Sequence, residues 1–131
     1  MKAYMKTHRG LVREQNEDTI CVAEPLYVLA DGMGGHQAGE VASALAARTL
    51  CETLRDMQPS ADALTRGYLA ANSAVFARQK EDETLSGMGT TMTALWEDQE
   101  YVFVGQIGDS RAYLYRDGKL HQITEDQSMV I

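Results

Sequence analysis

Residues Leu26–Ser43 read LYVLADGMGGHQAGEVAS. The run Leu26–Ala30 is short and continuously apolar, the pattern of a buried strand. It delivers Asp31 to a turn containing Gly32, Gly34, Gly35 and Gly39. Glycines there permit backbone conformations and close approaches that a side chain would block. A carboxylate held at the end of a buried strand is well placed to bind a cation.

Upstream, Met1–Thr7 and Asp18–Glu24 read as strands, and Glu24-Pro25 turns the chain into Leu26–Asp31. The last two are consecutive and joined by a short turn. Antiparallel pairing is therefore expected, with Glu17 and Asp18 meeting Asp31. Downstream the period becomes helical. Val41, Ala42, Leu45, Ala46, Leu50, Leu54 and Met57 form one stripe of a helix from about Gly39 to Met57. Pro59 stops it, and Ser60 is the expected N-cap of a second helix through about Lys80. Leu64, Tyr68, Ala71, Val75 and Phe76 are its expected buried face. After a charged loop, Glu81–Gly87, come strands at Thr90–Trp96, Tyr101–Ile107, Ala112–Tyr115 and Leu120–Ile123. Asp117-Gly118 is a strong hairpin signal. Strands, two helices and a strand meander imply an α+β fold, with helices segregated on a face of antiparallel sheet.

The bulk properties bound the function. The 131 residues are enough for one domain with its own core. A net charge of −7 argues against nucleic acid as the main partner. No apolar run reaches the ~18–20 residues of a membrane span, and the N-terminus lacks a signal-peptide layout. Cys21 and Cys51 are far apart in sequence, with no metal-type spacing. They read as reduced packing thiols of a cytoplasmic protein.

Acidic clusters mark three changes of chain direction: Asn16-Glu17-Asp18, Asp31-Gly32 and Gly108-Asp109-Ser110-Arg111. Any one of them is ordinary turn chemistry. Carboxylates converging on one sheet end repel each other unless a cation lies between them. Oxygen ligands without His or Cys favour Mg²⁺ or Mn²⁺ over zinc. His36, in a glycine-rich loop, reads as exposed rather than catalytic. Ser43, Ser73 and Ser110 lack an accompanying base and read as structural.

Five motifs occur in order: R-x-x-N-E-D (Arg13–Asp18), A-D-G-M-G-G-H-x-x-G-E-x-A-S (Ala30–Ser43), G-T-T (Gly89–Thr91), G-D-S-R (Gly108–Arg111) and L-x-x-I-T-x-D (Leu120–Asp126). Together they resemble the N-terminal half of a bacterial type-2C, metal-dependent Ser/Thr protein phosphatase. The resemblance implies a four-layer α-β-β-α sandwich of antiparallel sheets flanked by helices, with residues 1–131 as a partial domain truncated relative to the full family domain. It implies that Asp31 bridges two Mn²⁺ or Mg²⁺ ions, with Glu17 and the Gly32 carbonyl completing the protein ligands of one. Asp18 is then expected to orient metal-bound water, Arg13 to grip the substrate phosphate, and Asp109 to help bind a third metal. The implied reaction is hydrolysis of phosphoserine and phosphothreonine in proteins by metal-bound hydroxide, opposing a bacterial Ser/Thr kinase in the cytoplasm.

The sequence departs from the family in places. Met33 stands where some members have His, and Asp126-Gln127-Ser128 replaces Asp-His-Ser. After Asp109 the remaining acids are Asp117, Glu125 and Asp126, none at a place where the family binds metal. The other metal therefore keeps only Asp31, and the chain alone is expected to turn over little. The alternative is a non-catalytic fragment or pseudo-phosphatase that binds a metal, a phosphopeptide or a partner subunit.

Overall fold

The structure, a computed structural model, describes residues 3–8, 16–35 and 38–127. Arg13 and His36, both singled out above, lie outside the described residues. Strands β1 (Asp18–Ala23) and β2 (Leu26–Met33) are followed by helices α1 (Ala38–Leu54) and α2 (Ala61–Glu81). Then come β3 (Gly89–Thr90), β4 (Met92–Glu97), β5 (Val102–Ile107), β6 (Tyr113–Arg116) and β7 (Lys119–Gln122). β1, β2, β4 and β5 form one antiparallel sheet in that spatial order. β3 pairs with the end of β2, and β6–β7 form a second, two-stranded sheet.

β2 is the central strand, and its residues alternate. Leu26, Val28, Ala30 and Gly32 are buried, while Tyr27, Leu29, Asp31 and Met33 face the other way with greater exposure. The buried set meets α1 and α2 in a core with Leu50, Leu54, Leu64, Ala71, Met92, Ala94 and Trp96. Helices thus pack on one sheet face, as the order of elements implied. Gly67 of α2 is buried because Leu50 and Leu54 occupy the space where its side chain would be. Ser60 caps α2 by accepting a 3.0 Å bond from the Ala63 amide, which meets one otherwise orphaned helix donor. Asp117 and Gly118 adopt φ of 54° and 74°, the two left-handed residues that a tight β6–β7 hairpin requires.

Several expectations are corrected. Residues 3–8 join no strand and are exposed, because nothing among the described residues pairs with their backbone in a ladder. Met57 lies beyond the end of α1 and is 38% exposed. Phe76 is 56% exposed, with the Lys80 ammonium 4.5 Å from its ring centre, so it lies off the buried stripe. The expected strand Thr90–Trp96 divides at Thr91, which turns aside to bond Asp31. Within the expected Glu81–Gly87 loop, Glu83–Leu85 form a 3₁₀ turn that buries Leu85. The outer sheet face is less covered than the helix-facing one: Val22, Leu29, Val102 and Val104 are all at least 36% exposed.

Leu50 is fully buried between the helices and the sheet. Leu50→Ala is expected to cost about 2–5 kcal/mol, read as a lower urea midpoint with an unchanged m-value.

Candidate metal centre

The site begins with strand register. β1 and β2 pair antiparallel so that Asp18 stands directly opposite Asp31, the juxtaposition that the short Glu24-Pro25 connection implied. Beyond the ladder the Gly32 amide donates to the Glu17 carbonyl at 3.1 Å, carrying the pairing one residue further. Ser43, fully buried on α1, donates to the same carbonyl at 2.7 Å and shares a 2.8 Å bond with Thr19. Glu17 is thereby fixed to a strand and a helix at once. Ser43 is structural, as its lack of a base implied.

Two glycines make room for this. A side chain on Gly32 would overlap the Gly39 carbonyl, and one on Gly39 would overlap the Glu17 carboxylate. The glycine-rich motif therefore serves close approach at Gly32 and Gly39. A left-handed conformation appears within it at Gly34, with φ 148°, whereas Gly35 faces open space. The Glu17 Oε2 atom is buried beside Gly39 with no hydrogen-bond partner among the described residues. An unpaired buried carboxylate oxygen is costly; a cation would offset that cost.

Other residues orient the acids. Thr7 Oγ1 donates to Asp18 Oδ2 at 3.0 Å, and Asn16 Nδ2 donates to Thr7 Oγ1 at 2.7 Å. The Asp18 amide donates to Asn16 Oδ1. Asp31 is held through its backbone: its amide donates to Thr91 Oγ1 at 3.0 Å and its carbonyl accepts from the Thr91 amide at 2.9 Å. Thr91 Oγ1 also shares a 2.9 Å bond with Ser110 Oγ, which ties the Gly108–Arg111 loop to Asp31. Gly108, at φ 93°, packs on Thr91, where a Cβ would lie 2.6 Å from Thr91 Cγ2. Gln106 Nε2 donates to the Gly108 and Ser110 carbonyls, and the Gln127 amide donates to the Gly108 carbonyl. Asp109 is exposed on this loop.

Glu17, Asp18 and Asp31 thus sit where two strands and the loop before α1 converge. Among the described residues no three acids, histidines or cysteines form a metal-holding group. The implied ligand set does not need one, since it uses two carboxylates and the Gly32 carbonyl. The donors are all oxygen, which fits Mn²⁺ or Mg²⁺. The roles of Thr7, Asn16 and Thr91 were not read from the sequence. Thr91 lay inside the G-T-T motif, but a threonine near a strand carries no mark of a side-chain bond to a distant backbone.

Comparison with known proteins decides the family. The protein phosphatase 2C family matches residues 8–130. The chain belongs to that family. It is 46% identical over 128 residues to the serine/threonine protein phosphatase PstP of Mycobacterium tuberculosis, covering 95% of this chain and 25% of that protein. It is 37% identical to the serine/threonine phosphatase stp of Listeria monocytogenes, covering 99% of this chain and 56% of the relative. A crystal structure of the M. tuberculosis enzyme superposes with a TM-score of 0.84, covering 92% of this chain and 52% of that one. The PstP catalytic domain, solved in complex with two manganese ions, gives the same TM-score at 45% identity. The chain thus spans between 25% and 56% of the length of the two curated relatives, PstP and stp. The antiparallel sheet with helices on one face, together with the second sheet β6–β7, is this family's architecture in part.

Arg111 grips Asp126 in a bidentate pair through one guanidinium edge, with Nε–Oδ1 at 2.9 Å and Nη2–Oδ2 at 2.6 Å. The Arg111 hydrogen bonds hold the Asp126 carboxyl below its usual range. A carboxylate with a lowered native pKa contributes stability above its unfolded value of ~3.9, and that contribution is lost as pH falls through the native value. Below about pH 4 the urea midpoint is expected to fall, and Asp126→Asn should lack that portion of the pH dependence. The two close-approach glycines separate in a paired test. Gly32→Ala meets backbone and is expected to destabilise by about 1–3 kcal/mol. Gly39→Ala displaces the Glu17 carboxylate, so Mn²⁺ affinity measured by calorimetry should fall further than thermal stability does.

Proposed function

We propose that residues 1–131 are the N-terminal portion of a metal-dependent protein phosphatase domain that hydrolyses phosphoserine and phosphothreonine. The observation that carries this reading is the buried Glu17 Oε2, without a hydrogen-bond partner among the described residues, beside the Asp18–Asp31 register pair. Asp31 is assigned as the ligand common to two metals, with Glu17 and the Gly32 carbonyl completing the protein ligands of one, and Asp109 as a ligand of a third. Bound Mn²⁺ or Mg²⁺ supplies positive charge for the phosphate dianion and acidifies a water at neutral pH. Manganese is what the PstP structure holds, and the oxygen donors here suit either ion.

The chain's own residues supply position. Thr91 bonds both the amide and the carbonyl of Asp31, which keeps its carboxylate from drifting as charge changes. Asp18, steadied by Thr7, orients the attacking water. Arg13 offers a planar fork to the phosphate oxygens. The phosphoryl group passes directly to water, so no serine or cysteine nucleophile is needed. That agrees with Ser43 being engaged with the Glu17 carbonyl and the Thr19 hydroxyl. The substrates are phosphoproteins, and an opposing bacterial Ser/Thr kinase in the cytoplasm completes the cycle. The similarity to PstP and stp, both serine/threonine phosphatases, supports this reading.

Calorimetry with Mn²⁺ tests the assignment directly. The wild-type chain is expected to bind, and Asp31→Asn to show no resolvable binding heat while keeping its circular dichroism. Equal binding by both would overturn the metal assignment. Hydrolysis of an aryl phosphate by the 131-residue chain is expected to be at least about 10²-fold slower than by a longer polypeptide with further carboxylates. Comparable rates would show that Glu17, Asp31 and Gly32 suffice alone.

A further inference from the structure

Cys21 and Cys51 are 30 positions apart, yet their Sγ atoms lie 3.0 Å from one another and share a hydrogen bond. Both are free thiols. A disulfide bond is ~2.05 Å long, so the sulfurs need to close by only about 1 Å. Cys21 stands opposite Val28 on the helix-facing side of β1, and Cys51 lies in the last turn of α1. Each is half-buried against the edge of the core, close enough to solvent for a small reagent. They are the only two cysteines in the sequence, so neither has another intramolecular partner.

We propose that Cys21 and Cys51 form a reversible dithiol–disulfide pair, a redox switch that staples β1 to α1. The two elements are already tied near the candidate metal centre by Ser43, which bonds Thr19 and the Glu17 carbonyl. The disulfide adds a second tie further along the same interface. The loop it closes, residues 21–51, contains Asp31, Gly32, Gly39 and Ser43. Oxidation therefore constrains the segment that builds the site.

The chemistry balances with a small-molecule disulfide as oxidant. The Cys21 thiolate attacks one sulfur of glutathione disulfide, forming a mixed disulfide and releasing one glutathione thiolate. Cys51 then gives up its proton and attacks the Cys21 sulfur, releasing the second. The two thiol protons end on the two glutathiones, and two electrons pass from the cysteine pair to the reagent. Burial, followed by the Cys21 hydrogen bond, pushes the Cys51 thiol up to about 12. Cys51 thus keeps its proton longer, which suits it to the second, resolving step.

The test equilibrates the wild-type chain with glutathione and glutathione disulfide, blocks free thiols with N-ethylmaleimide and reads intact mass. The folded chain is expected to hold the Cys21–Cys51 link against at least about tenfold more glutathione than the same chain in concentrated urea. The oxidised form should melt roughly 5–15 °C higher than the reduced form, and dithiothreitol should reverse the difference. Cys51→Ala should accumulate the Cys21–glutathione mixed disulfide instead of the internal link. An equal glutathione requirement in urea, mixed disulfides without the link, or a covalent dimer would each overturn the proposal. The comparison of folded and urea-unfolded wild type stands even where a cysteine variant does not fold.

Discussion

One carbonyl oxygen, that of Glu17, receives the Gly32 amide from β2 and the Ser43 hydroxyl from α1. A strand end and a helix are thereby fixed to the same peptide, and the acids around it inherit their positions. The Asp18–Asp31 register places one carboxylate opposite another, and Thr91 secures the second strand's end from its far side. Hydrogen bonds to backbone suit this purpose because they fix the strand ends on which the acids stand. Replacing Thr91 by an apolar residue would leave the Asp31 amide without its side-chain acceptor, a cost of about 1–3 kcal/mol.

The site is built against the interests of stability. Acids are gathered at one end of a sheet in a chain of net charge −7, and one buried carboxylate oxygen has no hydrogen-bond partner among the described residues. Two glycines are spent on letting backbone and carboxylate approach closely. Compensation comes from the well-packed layer behind it, where Leu50, Trp96 and Ala94 are almost wholly buried. A divalent cation would remove the remaining electrostatic penalty, so metal binding and stability are expected to be linked. On the opposite face of the sheet, Val22, Leu29, Val102 and Val104 remain at least 36% exposed. The core is one-sided within the described residues, and the relatives matched are longer than this chain.

The same interface between β1 and α1 carries both the Ser43 tie and the paired thiols. A single contact surface thus joins the candidate metal centre to a group whose chemistry responds to oxidants. Cys21 and Cys51 looked unrelated in sequence because nothing in a separation of 30 residues reveals that a strand and a distant helical turn face each other. Only packing brings the sulfurs together.

Much was legible in the residues themselves. The strand after Pro25, the apolar stripe of α1, the Ser60 cap and the Asp117-Gly118 turn are local, and local sterics and hydrogen bonding specify them, whereas the alternating burial along β2 came from packing on one face. The short Glu24-Pro25 link left antiparallel pairing as the simple outcome, so the meeting of Asp18 with Asp31 followed from chain geometry. The ordered motifs marked the family because so many chemistry-bearing positions recur together. What only the tertiary structure decided depends on groups distant in sequence: the break at Thr91, the shared Glu17 carbonyl, the exposed turn of Phe76 and the thiol pair. The glycine turn shows the division well. Its glycines implied backbone freedom or close approach without saying which glycine served which; at Gly32 and Gly39 the need is for space, and space is set by what other segments bring alongside.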